Sequence, residues 1–375
     1  MLNYDYVIIG AGISGSCVAY ELSKHNDNIL VIDKNDEIAA GASGAAGAFL
    51  SPLLGKKNAF KDLVTKSLKY STKFYKQNFP KYFNNCGTTR IPKNVEDQKK
   101  FEDYIPFMDF EFERDNDGYF FKIGSTIESS MTCRSMLNSS SNNIKMKFGY
   151  EVKSIEYIDE KWLLNSEIKA KNIIYTTGSD VSLLDQFYLK IRAVWGQRID
   201  ISTSSKVSHN YHKACSLSQS KPMNDTINLV SIGATHHRNV KKIENIEENS
   251  NELLIKANDI QQLDNIKILN SYSGARACSV DYFPIVGEII NSKKTLEEFS
   301  YLKNGTHVEP RRFKRFKNAY ILTGVGGRGF VLAPYLAKVL VENILKDVPL
   351  DKSITIDRLF QREVKRYTNF SSKKG

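Results

Sequence analysis

The residues most specific for chemistry lie at the two ends of the sequence. Near the N-terminus, Gly10-Ala11-Gly12-Ile13-Ser14-Gly15 forms a G-x-G-x-x-G turn. The apolar run Asp5-Tyr6-Val7-Ile8-Ile9 leads into it, and a helical pattern with Ile13, Val18, Ala19 and Leu22 on one face leads out. A second apolar run, Asn28-Ile29-Leu30-Val31-Ile32, ends in Asp33 and Lys34. Strand, glycine turn, helix, strand and acid in this order are the setting in which such a turn binds an adenine dinucleotide. Gly10 is expected to permit the tight turn, Gly12 to let the backbone approach a pyrophosphate, and Gly15 to let the helix pack close to the strand. The helix end at Ile13 and Ser14 offers free N–H groups and a positive dipole end to the phosphates. Asp33, 18 residues beyond Gly15, has the spacing of a ribose-binding acid. The turn alone leaves FAD and NAD both open.

A second glycine loop, Gly324-Val325-Gly326-Gly327-Arg328-Gly329, follows the apolar strand Ala319-Tyr320-Ile321-Leu322-Thr323. It leads through Phe330 to a helix expected from about Val331, with Pro334 in its first turn and Leu336, Ala337, Leu340, Val341, Ile344 and Leu345 facing the core. Backbone N–H groups there can again meet an electron-rich atom. Two further stretches belong with these loops. Ala39 to Ala48, which includes Ala42, Ser43 and Gly47, consists almost entirely of Gly and Ala, so its backbone can lie against something flat and large. Lys171-Asn172-Ile173-Ile174-Tyr175-Thr176-Thr177-Gly178 reads as a strand returning to the sheet beside the first one.

The elements that must position these residues follow from periodicity. Asn58 to Tyr82 is helical, with Phe60, Leu63, Val64, Leu68 and Phe74 inward and Lys61, Lys66, Lys69, Lys73 and Lys76 outward. Short aromatic strands are expected over 83–128, a helix over Ser129–Leu137, a loop at Ser139–Asn143, and strands near Lys147–Tyr157 and Trp162–Ile168. Residues 191–318 are strand-rich with one helix near Ile246–Leu263, as in an antiparallel sheet.

With 375 residues, 41% of them hydrophobic and 25% charged, the chain can bury a large core. No run of about eighteen apolar residues occurs, so no membrane span is expected. The N-terminus enters the first strand without a leader, and a cytoplasmic location is the expectation. The five scattered cysteines show no C-x-x-C spacing, which argues against a disulfide framework or a zinc site. A net charge of +11 suits a polyanionic partner, or else a lysine-rich composition with no such meaning.

The glycine turn, the Gly/Ala loop, Tyr175–Gly178 and the Gly324–Gly329 loop together resemble the D-amino-acid-oxidase (DAO) family of FAD enzymes over nearly the whole chain. Within it, the C-terminal third is similar to the FAD-dependent oxidoreductase domain of bifunctional tRNA wobble-uridine-modifying proteins. Gly233-Ala234-Thr235-His236-His237-Arg238, the stretch Gly274-Ala275-Arg276 through Pro284-Ile285-Val286-Gly287, Glu297–Leu302 and Gly324–Pro334 carry that similarity. The fold this implies is α/β: a Rossmann-like FAD-binding domain, from residues 1–82, 129–190 and 319–375, with a discontinuous antiparallel-sheet substrate domain, from 83–128 and 191–318. FAD is the implied cofactor. Arg276 falls where relatives place the arginine that binds the substrate carboxylate. Gly326, Gly327, Arg328, Gly329 and Phe330 would approach the flavin through their backbone, Gly47 and Ala48 would lie along the isoalloxazine, and Val152 would meet adenine.

The implied reaction removes the carboxymethyl group from 5-carboxymethylaminomethyl(-2-thio)uridine in tRNA, the partner being the wobble uridine in the anticodon loop. A DAO-type oxidase of free glycine, sarcosine or D-amino acids is the alternative, and an RNA-binding protein that keeps FAD structurally is a third. The family branch carries a methyltransferase domain ahead of the flavin domain, and this sequence starts at the flavin strand. Methylation of the product is therefore expected either to need a separate methyltransferase or not to occur. The basic stretch 302–317, with Lys303, Arg311, Arg312, Lys314, Arg315 and Lys317, is a candidate RNA contact, as are His236 and His237 for the substrate.

Overall fold

The computed structural model describes residues 2–115, 118–139 and 143–371. The loop expected at Ser139–Asn143 falls mostly on residues 140–142, outside the described residues.

The first strand, Leu2–Ile9, explains the sheet it sits in. Its apolar run does not alternate with polar residues because both faces are covered. Tyr6 and Ile8 belong to a core shared with the helices Ile13–Leu22, Ala59–Asn78 and Gly329–Lys346, while Val7 and Ile9 point into a second core on the opposite face. Five strands run parallel in the spatial order Ile144–Lys147, Ile29–Ile32, Leu2–Ile9, Ile168–Tyr175 and Arg315–Thr323. The return of Ile168–Tyr175 beside the first strand is as the sequence implies. Ile285–Ile290, inside the stretch expected to form the second sheet, instead pairs antiparallel with Arg315–Thr323 at the edge of the first. Its residues are almost all buried, and Ile285, Ile289 and Ile290 complete the second core.

The other large sheet has ten strands, dominated by the 13-residue pair Ile191–Thr203 and Lys267–Ser279. These run antiparallel in register, with Val194 opposite Arg276 and Gly196 opposite Gly274. The helix Ile246–Asn258 packs on this sheet through Leu253 and Ala257, ending five residues before the sequence expectation at Leu263.

Several expectations are corrected by packing. The strand expected at Lys147–Tyr157 is two, Ile144–Lys147 and Ile155–Ile158, separated by a turn at Gly149. Lys61, placed on the polar face of its helix, is buried and engages Asp109 and the Phe107 carbonyl. The helix that follows the second glycine loop begins at Gly329, so Pro334 is its sixth residue and lies beyond the first turn; Leu345 is exposed. The helices Val95–Tyr104 and Asp357–Ser371 were not foreseen. Among the described residues, no helix is long and apolar enough to cross a membrane.

Candidate active site

One cavity of about 1860 Å³ runs between the two sheets. Pockets for a single small ligand are roughly 300–1,000 Å³, so there is room for a dinucleotide and a substrate together. Every residue that the sequence marks for the cofactor lines this cavity except Gly15, and of those marked for the substrate Arg276 and His236 line it whereas His237 does not.

Gly15 acts at the turn instead. A Cβ there would lie 1.8 Å from the Gly10 carbonyl oxygen and 2.8 Å from Thr176 Oγ1. Gly10 itself has φ +111°, and a Cβ on it would meet the Thr176 carbonyl oxygen at 2.5 Å. Thr176 fastens this close approach by donating from Oγ1 to the Ile9 and Gly10 carbonyls, both at 2.9 Å. Its side chain is therefore committed to the turn. The amide of Ala11 donates to Asp33 Oδ2 at 2.7 Å, and that of Ile13 to Ser43 Oγ at 2.9 Å. Asp33 Oδ1 accepts from the Asn35 amide and side chain. A carboxylate has about four acceptor positions, so Asp33 retains capacity for a ribose hydroxyl. The first turn of the helix Ile13–Leu22 contains no acidic residue, which leaves its positive end unneutralised toward the cavity. Lys34 is exposed and pairs with Asp180 at 3.0 Å across the cavity rim.

Glycines and alanines shape the middle of the cavity. Ala42–Ala45 is a single helical turn, and Gly274 of the long strand lies so close that a Cβ would meet Ala42 Cα at 2.6 Å. Ala48 has φ 47°, in the left-handed region, and presents backbone rather than bulk. Val152 and Gly178 line the end beyond Asp33. This bare, elongated cradle, which begins at an unneutralised helix end, fits an adenine dinucleotide.

At the far end, the second sheet delivers Arg276 to the second glycine loop. Its guanidinium lies over Gly196, where a Cβ would be 2.4 Å from Nη2, and its Cδ would be 3.5 Å from a Cβ on Gly327. Arg276 Nη1 donates to the Thr235 carbonyl at 3.2 Å. Among the described residues no carboxylate pairs with it. Burial lowers its pKa from the usual guanidinium value, yet an arginine stays charged at neutral pH. A bridge between Cys278 and Val325 ties its strand to the glycine loop. His236 stands at the cavity wall, open to solvent on one side, and partial desolvation on the other, followed by the charge of Arg276, lowers its pKa.

Two residues of this end were missed. Arg90 and His212 line the cavity beside Arg328, which the sequence marked for its backbone only. The sole signal was an arginine inside the short strand Thr88-Thr89-Arg90, and its neighbour His212 is far away in sequence. The basic stretch 302–317 also looks different in three dimensions. Arg311 pairs with Glu309, Lys314 with Glu298, Arg315 with Asp357, and Lys317 with Glu160, while Arg312 lies over the Phe299 ring.

The DAO model, described as FAD dependent oxidoreductase, matches residues 5–343. The tRNA 5-methylaminomethyl-2-thiouridine biosynthesis bifunctional protein MnmC of Legionella pneumophila is 22% identical over 369 residues, covering 92% of this chain and 54% of that protein. The protein of the same name in Campylobacter fetus is 27% identical over 359 residues, covering 90% and 56%. The chain thus spans about half the length of the curated relatives it matches. Among solved structures, glycine oxidase from Geobacillus kaustophilus superposes with a TM-score of 0.73 at 16% identity, covering 93% of this chain and 96% of that one. L-proline dehydrogenase from P. horikoshii gives 0.73 at 16% identity, covering 96% and 99%. With the glycine turn, the two-sheet cavity and a match over most of its length, the chain belongs to the DAO family of FAD-dependent oxidoreductases.

Proposed function

We propose that this enzyme removes the carboxymethyl group from 5-carboxymethylaminomethyl(-2-thio)uridine at the tRNA wobble position, leaving the aminomethyl form. Arg276 carries this proposal: it is a cation in the cavity wall without a carboxylate partner among the described residues, set against the second glycine loop. The names of the MnmC relatives supply the nucleic-acid side of the substrate.

FAD, the cofactor of the family, accepts a hydride when bound. The Gly10–Gly15 turn, the helix end at Ile13 and Ser14, and Ser43 would hold its pyrophosphate. Asp33 would hold the ribose, Val152 the adenine, and Gly47, Ala48 and the Gly326–Phe330 backbone the ring system. Arg276 would fork onto the substrate carboxylate and so fix the carbon between nitrogen and carboxylate, the carbon that is oxidised. The substrate loses a hydride and a proton to become an imine, and water then splits it into glyoxylate and a primary amine. The protein's task is orientation rather than acid–base chemistry.

Anaerobic mixing of the holoenzyme with carboxymethylaminomethyl-tRNA should bleach the flavin absorbance, and glycine or sarcosine should not. Bleaching by the free amino acids and not by the tRNA would overturn the proposal in favour of a small-molecule oxidase.

A further inference from the structure

We propose that Arg90, His212 and Arg328 form an oxyanion site in the cavity wall, separate from Arg276, that takes a phosphate group. That the phosphate belongs to an RNA substrate rests on the function proposed above; the site itself rests on its own geometry.

Strands Thr88–Arg90 and Asn210–His212 run parallel with Arg90 and His212 in register, so their side chains share one face. Arg328 reaches the same place from the second glycine loop. Arg90 Nη1 donates to the Pro52 carbonyl at 3.4 Å and Arg328 Nη1 to the Ser51 carbonyl at 3.2 Å. Two consecutive carbonyls thus hold two guanidinium groups side by side. Neither arginine has a carboxylate within salt-bridge distance among the described residues. Asp97, whose charge reaches Arg90, accepts the Lys93 amide at 3.0 Å instead.

Such a cluster is costly unless something cancels it. Buried like charges repel, and a buried donor without a partner loses its hydration for nothing. Arg90 Nε and His212 Nε2 are both buried and have no hydrogen-bond partner. Burial lowers the pKa of Arg90 to about 10. Burial, then the charge of Arg90, lowers that of Arg328 to about 10. Burial and both arginines hold His212 well below its ordinary value, so its ring is neutral at pH 7. His212 Nδ1 engages the Ser216 hydroxyl, which leaves Nε2 toward the cluster.

A phosphate answers these deficits. Each guanidinium has five donors in a planar fork, and only one on each is spent on backbone. Two cations and several free donors match the charge and the multiple oxygens of phosphate, whereas the single fork of Arg276 suits a carboxylate. Both a phosphodiester of the RNA backbone and a free phosphate have this chemistry.

The test is calorimetric titration of the FAD-loaded protein with inorganic phosphate at fixed ionic strength. One site is expected, weakened by about tenfold or more in Arg90→Gln and in Arg328→Gln, and unchanged in Arg276→Gln. Arg90→Lys and Arg328→Lys, which keep the charge and lose the fork, should fall in between and cover the case of a glutamine variant that does not fold. Absence of binding in the wild type, or equal binding in all variants, overturns the site. So does release of FAD from a folded Arg328→Gln, because the anion would then be the cofactor's own phosphate. Competition between phosphate and an anticodon stem–loop RNA assigns the site to the RNA backbone; phosphate binding without competition assigns it to a free phosphate. Flavin reduction by the modified tRNA is read on the same samples. Its absence refutes the wobble-uridine reaction, while the phosphate titration still decides the site.

Discussion

At the residue scale, the proposed arrangement separates groups that would hold the cofactor from Arg276, which would hold the substrate. Arg276 lies against Gly327 of the second glycine loop and not against the Gly10–Gly15 turn that would hold the pyrophosphate, so removing it should leave the cofactor in place. Arg276→Ala is expected to slow flavin reduction by about a hundredfold, equivalent to losing two charge-assisted hydrogen bonds, with FAD content unchanged. Stopped-flow absorbance and the visible spectrum measure the two separately, and loss of FAD would show that Arg276 serves the cofactor. Gly15→Ala should do the reverse. Its methyl would overlap the Gly10 carbonyl, with 1.8 Å between them, and forcing the helix outward costs about 1–3 kcal/mol while widening the turn. A lower thermal midpoint and weakened FAD retention are expected together.

At the element scale, the helix Gly329–Lys346 shows how a proline six residues in is accommodated. Pro334 has no N–H, so the Phe330 carbonyl loses its partner within the helix. Tyr75 of the helix Ala59–Asn78 supplies one, its hydroxyl donating to Phe330 O at 3.0 Å, and Ser71 Oγ donates to Val331 O at 2.7 Å. Tyr75 is fully buried, as is Ser71. Tyr75→Phe should therefore destabilise the fold by about 1–3 kcal/mol by leaving a buried carbonyl unpaired. Pro334→Ala restores the helical N–H and should recover part of that loss in the double variant, a coupling that a denaturant-unfolding cycle measures. This pairing holds the second glycine loop against the first core, and so sets where the loop meets the cavity.

At the scale of the whole molecule, the C-terminal helix locks the loop that follows Arg276. Arg358 Nε donates to Asp281 Oδ2 at 2.8 Å and Nη2 to Oδ1 at 3.0 Å, a fork across 77 residues of sequence. Burial alone would raise the Asp281 pKa, but the hydrogen bonds and charge of Arg358 outweigh it and the net shift is downward from 3.8. A depressed carboxylate pKa stabilises the fold above the unfolded value and loses that contribution as pH falls through the folded value. Unfolding free energy should thus drop below about pH 4, and Arg358→Met should flatten that part of the profile in denaturant titrations at several pH values. The paired state of the 302–317 stretch leads to a second expectation. Because Lys314 and Lys317 already face carboxylates, the variant Lys314→Gln/Lys317→Gln should leave unchanged the salt dependence of binding to the proposed tRNA substrate. A slope reduced by about one or more would show that these lysines contact phosphate.

The sequence by itself determined the two glycine loops, the strand before each of them and the acid at position 33. These signals are local: a tight turn, a buried strand or a helix start leaves its mark within a dozen residues. Helix Ser129–Leu137 was legible for the same reason, and its bounds agree with the structure. The tertiary structure decided what depends on residues far apart in the chain. Strand Ile285–Ile290 could serve either sheet, and only the unfilled edge of Arg315–Thr323 and the second core select the first. Lys61 reads as a surface lysine until Asp109 and the Phe107 carbonyl close over it. Arg90 and His212 are neighbours only because two short strands pair in parallel, a contact between residues more than a hundred positions apart. Periodicity reports whether a side chain faces a core; which charge it meets there is set by long-range packing, and that is where the electrostatics of this cavity arise.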